Sequence, residues 1–219
     1  MITGWPTPQG REEYAVAFDR GRGRRVLVLP AWFDESNKLR RQSIEVMRRL
    51  DAAGVDSMLP DLPGCNESEA PLGEQTLEGW CAAAQAAGGH FRASHVLAIR
   101  AGALLAPDLP GWLYAPFGGA QLLRGMLRAR TLAAREAGRN ETREGLLELG
   151  RRDGLELGGH RLGAGMLAAL ETADVPAQPG QRTITQGEVG GGPLWLRAEP
   201  DFDAGQADAL AALIKADLA

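Results

Sequence analysis

Cysteine is nearly missing from this chain of 219 residues, with Cys65 and Cys81 the only two. Two cysteines outside any C-x-x-C pairing build neither a disulfide framework nor a redox motif. Histidine is almost as scarce. His90, His95 and His160 are scattered along the sequence, so no metal-ligand cluster of standard spacing exists, and nothing in the chain implies a metal or a cofactor. No apolar run approaches the roughly 18 residues of a membrane span. The opening "MITGWPTPQGREEY" lacks the basic-then-apolar order of a secretory signal, so a cytoplasmic location is expected. Positive charge is not in excess either. With 24 Lys and Arg against 28 Asp and Glu the net charge is -4, which argues against nucleic acid or an anionic membrane as the partner.

What is present is ordinary for a globular chain: 44% hydrophobic and 24% charged residues, enough to bury one core in one domain. Tyr14–Phe18 reads as an edge strand and Val26–Leu29 as a continuous buried one. Leu39, Ile44, Met47 and Leu50 fall at helical spacing over 37–53, and Gly54 closes that helix. A strand over 55–59 and a helix over 74–87 follow. Next come a strand at 96–99, a short helix ended by Pro107, and a strand at 112–117. Residues 119–149 read as two helices broken near Gly138, with Leu122, Leu123, Met126, Leu127 and Leu132 facing inward. The spacing then predicts a strand near 155–162, a helix over 163–172, late strands at 181–187 and 193–199, and a closing helix over 206–218. Strand alternating with helix at short spacing gives an α/β fold, a mostly parallel sheet covered on both faces, here with 119–149 as a small helical insertion or cap.

Such sheets bind ligands at the carboxyl ends of their strands. Three loops converge there: "PAWFDESNK", "PDLPGCNES" and "IRAGA". The last belongs to "SHVLAIRAGALLAP" (94–107), which has the strand, sharp turn and helix start of a nucleophile elbow. At its tip, where G-x-S-x-G places a serine, stands Arg100. None of the five serines (Ser36, Ser43, Ser57, Ser68, Ser94) occupies an elbow. The triad order also needs a histidine after the last strand, where Glu199 and Pro200 stand instead. Cys65 lies in a site loop and could serve as nucleophile only with a placed base; a buried structural thiol is the other reading. "RGRGRR" precedes its strand rather than following it, and "GEVGGGP" lacks the order of a dinucleotide fingerprint, so neither is a phosphate loop.

Four stretches, "PAWFDESNKLRR" (30–41), "LPDLPGCNES" (59–68), "IRAGALLA" (99–106) and "WLYAPFGGAQLLRGMLRARTLA" (112–133), occur in an order that resembles the α/β-hydrolase superfamily. Within it they are similar to the exosortase A system-associated hydrolase-like family, second type. "LELGGHRL" (155–162) and "GGGPLWLRAE" (190–199) are weaker echoes. The resemblance implies an arginine at the elbow tip and a role in exopolysaccharide production. The chain departs from the family in the "PDLPG" that curtails the helix after the elbow, in "PFGG" where a serine-glycine pair is typical, and in His160 where an aromatic is usual.

An arginine cannot serve as nucleophile or base, and inside a fold it must be paired. One reading pairs Arg100 with a carboxylate, Glu199 first, with Asp34, Glu35 and Asp61 as the others. A second leaves it partly free to grip an anionic or sugar-derived ligand, helped by Asn37, Lys38, Arg40 and Arg41, with Trp32 and Phe33 stacking on a sugar ring. Three functions stay open. The first is a non-catalytic accessory or ligand-binding protein. The second is an unorthodox hydrolase or transferase of esters, acyl groups or glycans using Asp34, Glu35 or Glu199. The third is a scaffold that dimerises through the 119–149 helices.

Overall fold

The computed structural model describes residues 1–218. Nine strands and seven α-helices follow in chain order. They are β1 (Ile2–Pro6), β2 (Glu12–Phe18), β3 (Arg25–Leu29), α1 (Asp34–Ala52), β4 (Asp56–Pro60), α2 (Leu77–His90), β5 (His95–Ile99) and β6 (Gly111–Tyr114). After these come α3 (Gly119–Glu136), α4 (Arg143–Asp153), β7 (Leu155–Leu157), β8 (His160–Leu162), α5 (Ala164–Thr172), β9 (Gln181–Ile184), α6 (Gln186–Val189) and α7 (Ala204–Asp217). Seven strands form one sheet in the order β1-β2-β4-β3-β5-β6-β9, while β7 and β8 form a separate hairpin. The first two pairings, β1 with β2 and β2 with β4, are antiparallel; from β4 to β9 every pairing is parallel.

Side chains alternate across this sheet as the pleat demands. Val26, Val28, Leu97 and Ile99 point to one face, where they meet α1 and α7 through Val46, Leu50, Leu210 and Ile214. Leu27, Leu29, Val96 and Ala98 point to the other, where Trp80, Ala84, Leu123, Leu127 and Leu167 from α2, α3 and α5 cover them. This is the α/β-hydrolase-like arrangement, with helices on both faces.

Several elements differ from the sequence reading. Tyr14–Phe18 is not an edge, because β1 pairs outside it from Ile2 against Val16 to Pro6 against Glu12. Glycine and proline in "ITGWP" hide that strand from propensity. The stretch 193–199 forms no strand: Leu194–Leu196 is a 3₁₀ turn behind Pro193, which cannot donate to a ladder. The sheet therefore ends at β9. Residues 155–162 are two strands turning through Gly158 (φ +57°) and Gly159 (φ +79°), a pair of left-handed residues that suits glycine. Strand β6 stops at Tyr114, and the segment after the elbow is a six-residue 3₁₀ helix, Arg100–Leu105. Of the side chains expected inward on α3, Leu132 is exposed and Met126 only half-buried. Finally, α1 starts at Asp34 rather than 37, which puts Asp34 and Glu35 in its first turn, where the helix dipole favours acids.

Candidate functional site

The carboxyl ends of the central strands carry most of the chain's backbone strain. Five non-glycine residues adopt positive φ, and four of them follow adjacent strands: Phe33 after β3, Asn66 after β4, Arg100 after β5 and Ala115 after β6. Such conformations persist only where packing over-determines them, and they concentrate at functional sites. Ala98-Ile99-Arg100-Ala101-Gly102 stands in the elbow where a hydrolase carries G-x-S-x-G. Gly102 is required there. A Cβ would lie 2.4 Å from the carbonyl oxygen of Pro30 and 2.8 Å from that of Leu29, so only glycine lets the elbow close against the end of β3.

Arg100 is pinned on every side. Its Nε and Nη2 donate to the two carboxylate oxygens of Glu35 at 2.9 and 3.0 Å, a bidentate fork, and Nη1 donates to the carbonyl of Ala115 at 2.8 Å. The guanidinium carbon lies 4.2 Å from the ring centre of Phe117 and 4.1 Å from that of Trp195, within cation–π range. Only 12% of the arginine side chain is exposed. The carboxylate is Glu35 and not Glu199, which is solvent-exposed and makes no ion pair among the described residues. The last segment does reach the elbow, four residues earlier, through Trp195. The sequence reading missed Phe117 and Trp195 because an aromatic ring carries no chemical signature of its own.

The remaining candidates are dispersed. Asp34 is exposed and bridged by Lys38 at 2.7 Å along the helix. Asp61 is buried and accepts from Arg40 at 3.0 Å and from the Asn66 side chain at 2.7 Å, which ties the loop after β4 to α1. Neither touches Arg100. Beside the elbow lies a cavity of about 250 Å³ lined by Trp32, Phe33, Ser36, Asn37, Cys65, Asn66 and His160, among others. No charged side chain lines it. Trp32 forms its wall, 3% exposed and edge-on to Trp80 at 4.9 Å, and its indole Nε1 is buried with no acceptor among the described residues. Cys65 contributes no thiolate, since burial first and then Asp61 and Glu13 push its thiol up to about 12.

Among the described residues the hydroxyls and imidazoles are dispersed. Ser43 donates to the Leu39 carbonyl inside α1, and Ser57 is buried in β4. Ser68 donates to Glu13 at 2.8 Å. The one serine–histidine contact among the described residues, Ser94 Oγ with His95 Nδ1 at 2.9 Å, sits at the amino end of β5, opposite the elbow. His90 is exposed at the end of α2. His160, with its pKa lowered by burial against an opposing pull from Asp34, packs on Phe33 at 5.1 Å and makes no side-chain hydrogen bond among the described residues. Also among the described residues, no three His, Cys, Asp or Glu side chains group as metal ligands, and no helix is long and apolar enough to cross a membrane.

No family model matches the chain, and no curated protein matches it. Solved structures do. The mouse alpha/beta hydrolase domain-containing protein 10 superposes with a TM-score of 0.59 at 10% identity, covering 100% of this chain and 98% of that one. A thermophilic esterase from Thermogutta terrifontis, solved with malate bound, gives 0.56 at 12% identity over 100% and 98%. The bottromycin epimerase BotH, in complex with bottromycin A2, gives 0.55 at 14% over 100% and 99%. Against DcsB and two Agrobacterium proteins the chain spans 53%, 59% and 60% of the neighbour's length. At these identities the likeness establishes the α/β-hydrolase fold and nothing finer.

Proposed function

We propose that this chain is a non-hydrolytic α/β-hydrolase-fold protein that binds a small sugar-derived ligand beside the elbow. On the resemblance to the exosortase A system-associated family, it does so as an accessory to exopolysaccharide production. The observation that carries the reading is Arg100 closed on Glu35 between two aromatic rings. A group that cannot attack, held by a partner that keeps it from a ligand, replaces the residue on which acyl chemistry depends. Binding then falls to the cavity. Its aromatic walls and its neutral amides and hydroxyl suit a polyol ring better than an anion. In this reading the whole chain acts as one domain, with 119–149 as a small cap. BotH, an epimerase on the same fold, supports separating the fold from hydrolysis.

The test joins two measurements. Fluorophosphonate labelling and p-nitrophenyl ester turnover are expected to be absent. Tryptophan fluorescence titrated with a monosaccharide panel is expected to saturate, with Asn66→Ala weakening the fit about tenfold. Ester turnover that survives every Ser→Ala change but disappears in Glu199→Gln or Glu35→Gln overturns the proposal in favour of unorthodox carboxylate chemistry.

A further inference from the structure

The exposed side of α3 runs against the charge of the rest of the chain. Residues 119–143 hold six arginines and two glutamates, within a protein of net charge -4. Arg124, Arg128 and Arg135 stand at i, i+4 and i+11, one stripe of the helix, about 6 and then about 10 Å apart along its axis. With Arg143 at the start of α4, all four are exposed and none makes a salt bridge among the described residues. Arg130, by contrast, is held by Glu141 at 2.8 Å. Two shallow hollows open along the stripe. A hollow of about 490 Å³ lined by Arg124, Arg128 and Arg143 adjoins one of about 620 Å³ that holds Arg135 and Arg139, and the two share Arg128 and Thr131. Gln121 and Asn140 add neutral hydrogen-bonding groups, one in each. Glu141 is the single acid in either lining.

We infer that this groove binds a carboxylated oligosaccharide along α3, separately from the neutral cavity at the elbow. Planar guanidinium forks match carboxylates, and spaced cations match a chain with charge on successive sugars. The interspersed amides and the Thr131 hydroxyl match its ring hydroxyls. Other polyanions fit less well. Residues 118–153 contain no aromatic side chain on which bases could stack. Leu132 is the one large apolar side chain exposed between 119 and 143, too little apolar surface to insert into a bilayer. A two-fold dimer through this face would set arginines against arginines, which speaks against the scaffold reading.

Titration calorimetry with trigalacturonic acid tests the inference, with its methyl ester as the uncharged twin. The acid is expected to bind and the ester to bind at least about tenfold more weakly. Raising salt from about 50 to about 200 mM is expected to weaken the acid. Arg124→Gln with Arg128→Gln, surface changes that leave the core intact, is expected to lose about tenfold or more. Arg24→Gln, an exposed arginine without an ion pair elsewhere, is expected to keep wild-type affinity. The inference fails if acid and ester bind alike, or if the double variant matches Arg24→Gln. It fails equally if hexaglutamate, a thymidine oligonucleotide or phosphatidylglycerol vesicles bind more tightly than the trisaccharide.

Discussion

The two ends of the central sheet both bury arginine against carboxylate, and they do it differently. At the amino end, the turn "RGRGRR" folds back so that Arg20 and Arg22 reach Asp51 at 2.8 and 2.7 Å, and Arg22 and Arg25 each reach Asp56 at 3.1 Å. Asp56, fully buried, also accepts the backbone amides of Arg20 and Arg22. Arg25 spreads further, to Asp19 at 2.6 Å. At the carboxyl end the pairs stand apart: Arg40 with Asp61 ties the loop after β4 to α1, while Arg100, itself one of the four residues with positive φ there, closes on Glu35 between two rings. One end shares its charges through a network that fixes the fold. The other concentrates strain and one inflexible charge beside a cavity.

The sharpest way to break this comparison is to remove Asp56. Asp56→Ala leaves two guanidinium groups and two amides without their shared acceptor at a fully buried position. A loss of about 3–5 kcal/mol in a urea unfolding midpoint is expected. A loss below about 1 kcal/mol would mean that water enters and the amino end is no network.

At the other end the expected loss is smaller, because Glu35 keeps 20% of its side chain in contact with solvent. Glu35→Ala is expected to cost about 2–3 kcal/mol, chiefly by stranding Arg100. The double change with Arg100→Met should recover most of it, since an apolar chain between Phe117 and Trp195 needs no partner. A double-mutant cycle reads the coupling directly. Near-zero coupling would show that the aromatic rings and the Ala115 carbonyl hold Arg100 without help.

How much of this was legible in the sequence depends on the kind of signal. The apolar runs at 26–29 and 96–99 and the periodic Leu39, Met47 and Leu50 specify buried elements by pattern alone, and they form β3, β5 and α1. The elbow is visible because strand, small residues and glycine follow in order. What the sequence cannot carry is which carboxylate turns toward Arg100. Glu35 and Glu199 offer the same carboxylate, and the choice was made by where α1 begins, five residues before its first apolar position, Leu39. The same limit hid β1, a strand defined by its partner rather than its composition, and the work of "RGRGRR", whose acceptors lie up to 69 residues away.

Acidification separates the two ends by sign. Asp19 is held below the ordinary carboxylate range, first by its hydrogen bonds from Arg25 and then by the Gly21 amide; Asp51 is held low by Arg20 and then Arg22. Groups whose pKa folding depresses add stability above the unfolded value near 3.9, and they lose it as pH falls through the folded one. Glu13, near the carboxyl end of β4, has the opposite shift: burial raises it, against a hydrogen bond from Ser68. Its contribution is fully present below the unfolded value near 4.3 and is lost as pH rises through the folded one, so at neutral pH its charge is a burden. Asp19→Asn is therefore expected to lower Tm at pH 7, and Glu13→Gln to raise it by up to about 3 °C. Both differences shrink as pH falls, for Glu13 because its native carboxyl protonates, and for Asp19 because the unfolded carboxyl takes up a proton below about 3.9 while the native one stays ionised. Melting curves of the two variants between about pH 7 and pH 3 should approach the wild type from opposite sides. If Glu13→Gln is destabilised at pH 7, the ionised carboxylate is needed by Ser68 and the loop it anchors, and the contrast between the two ends disappears.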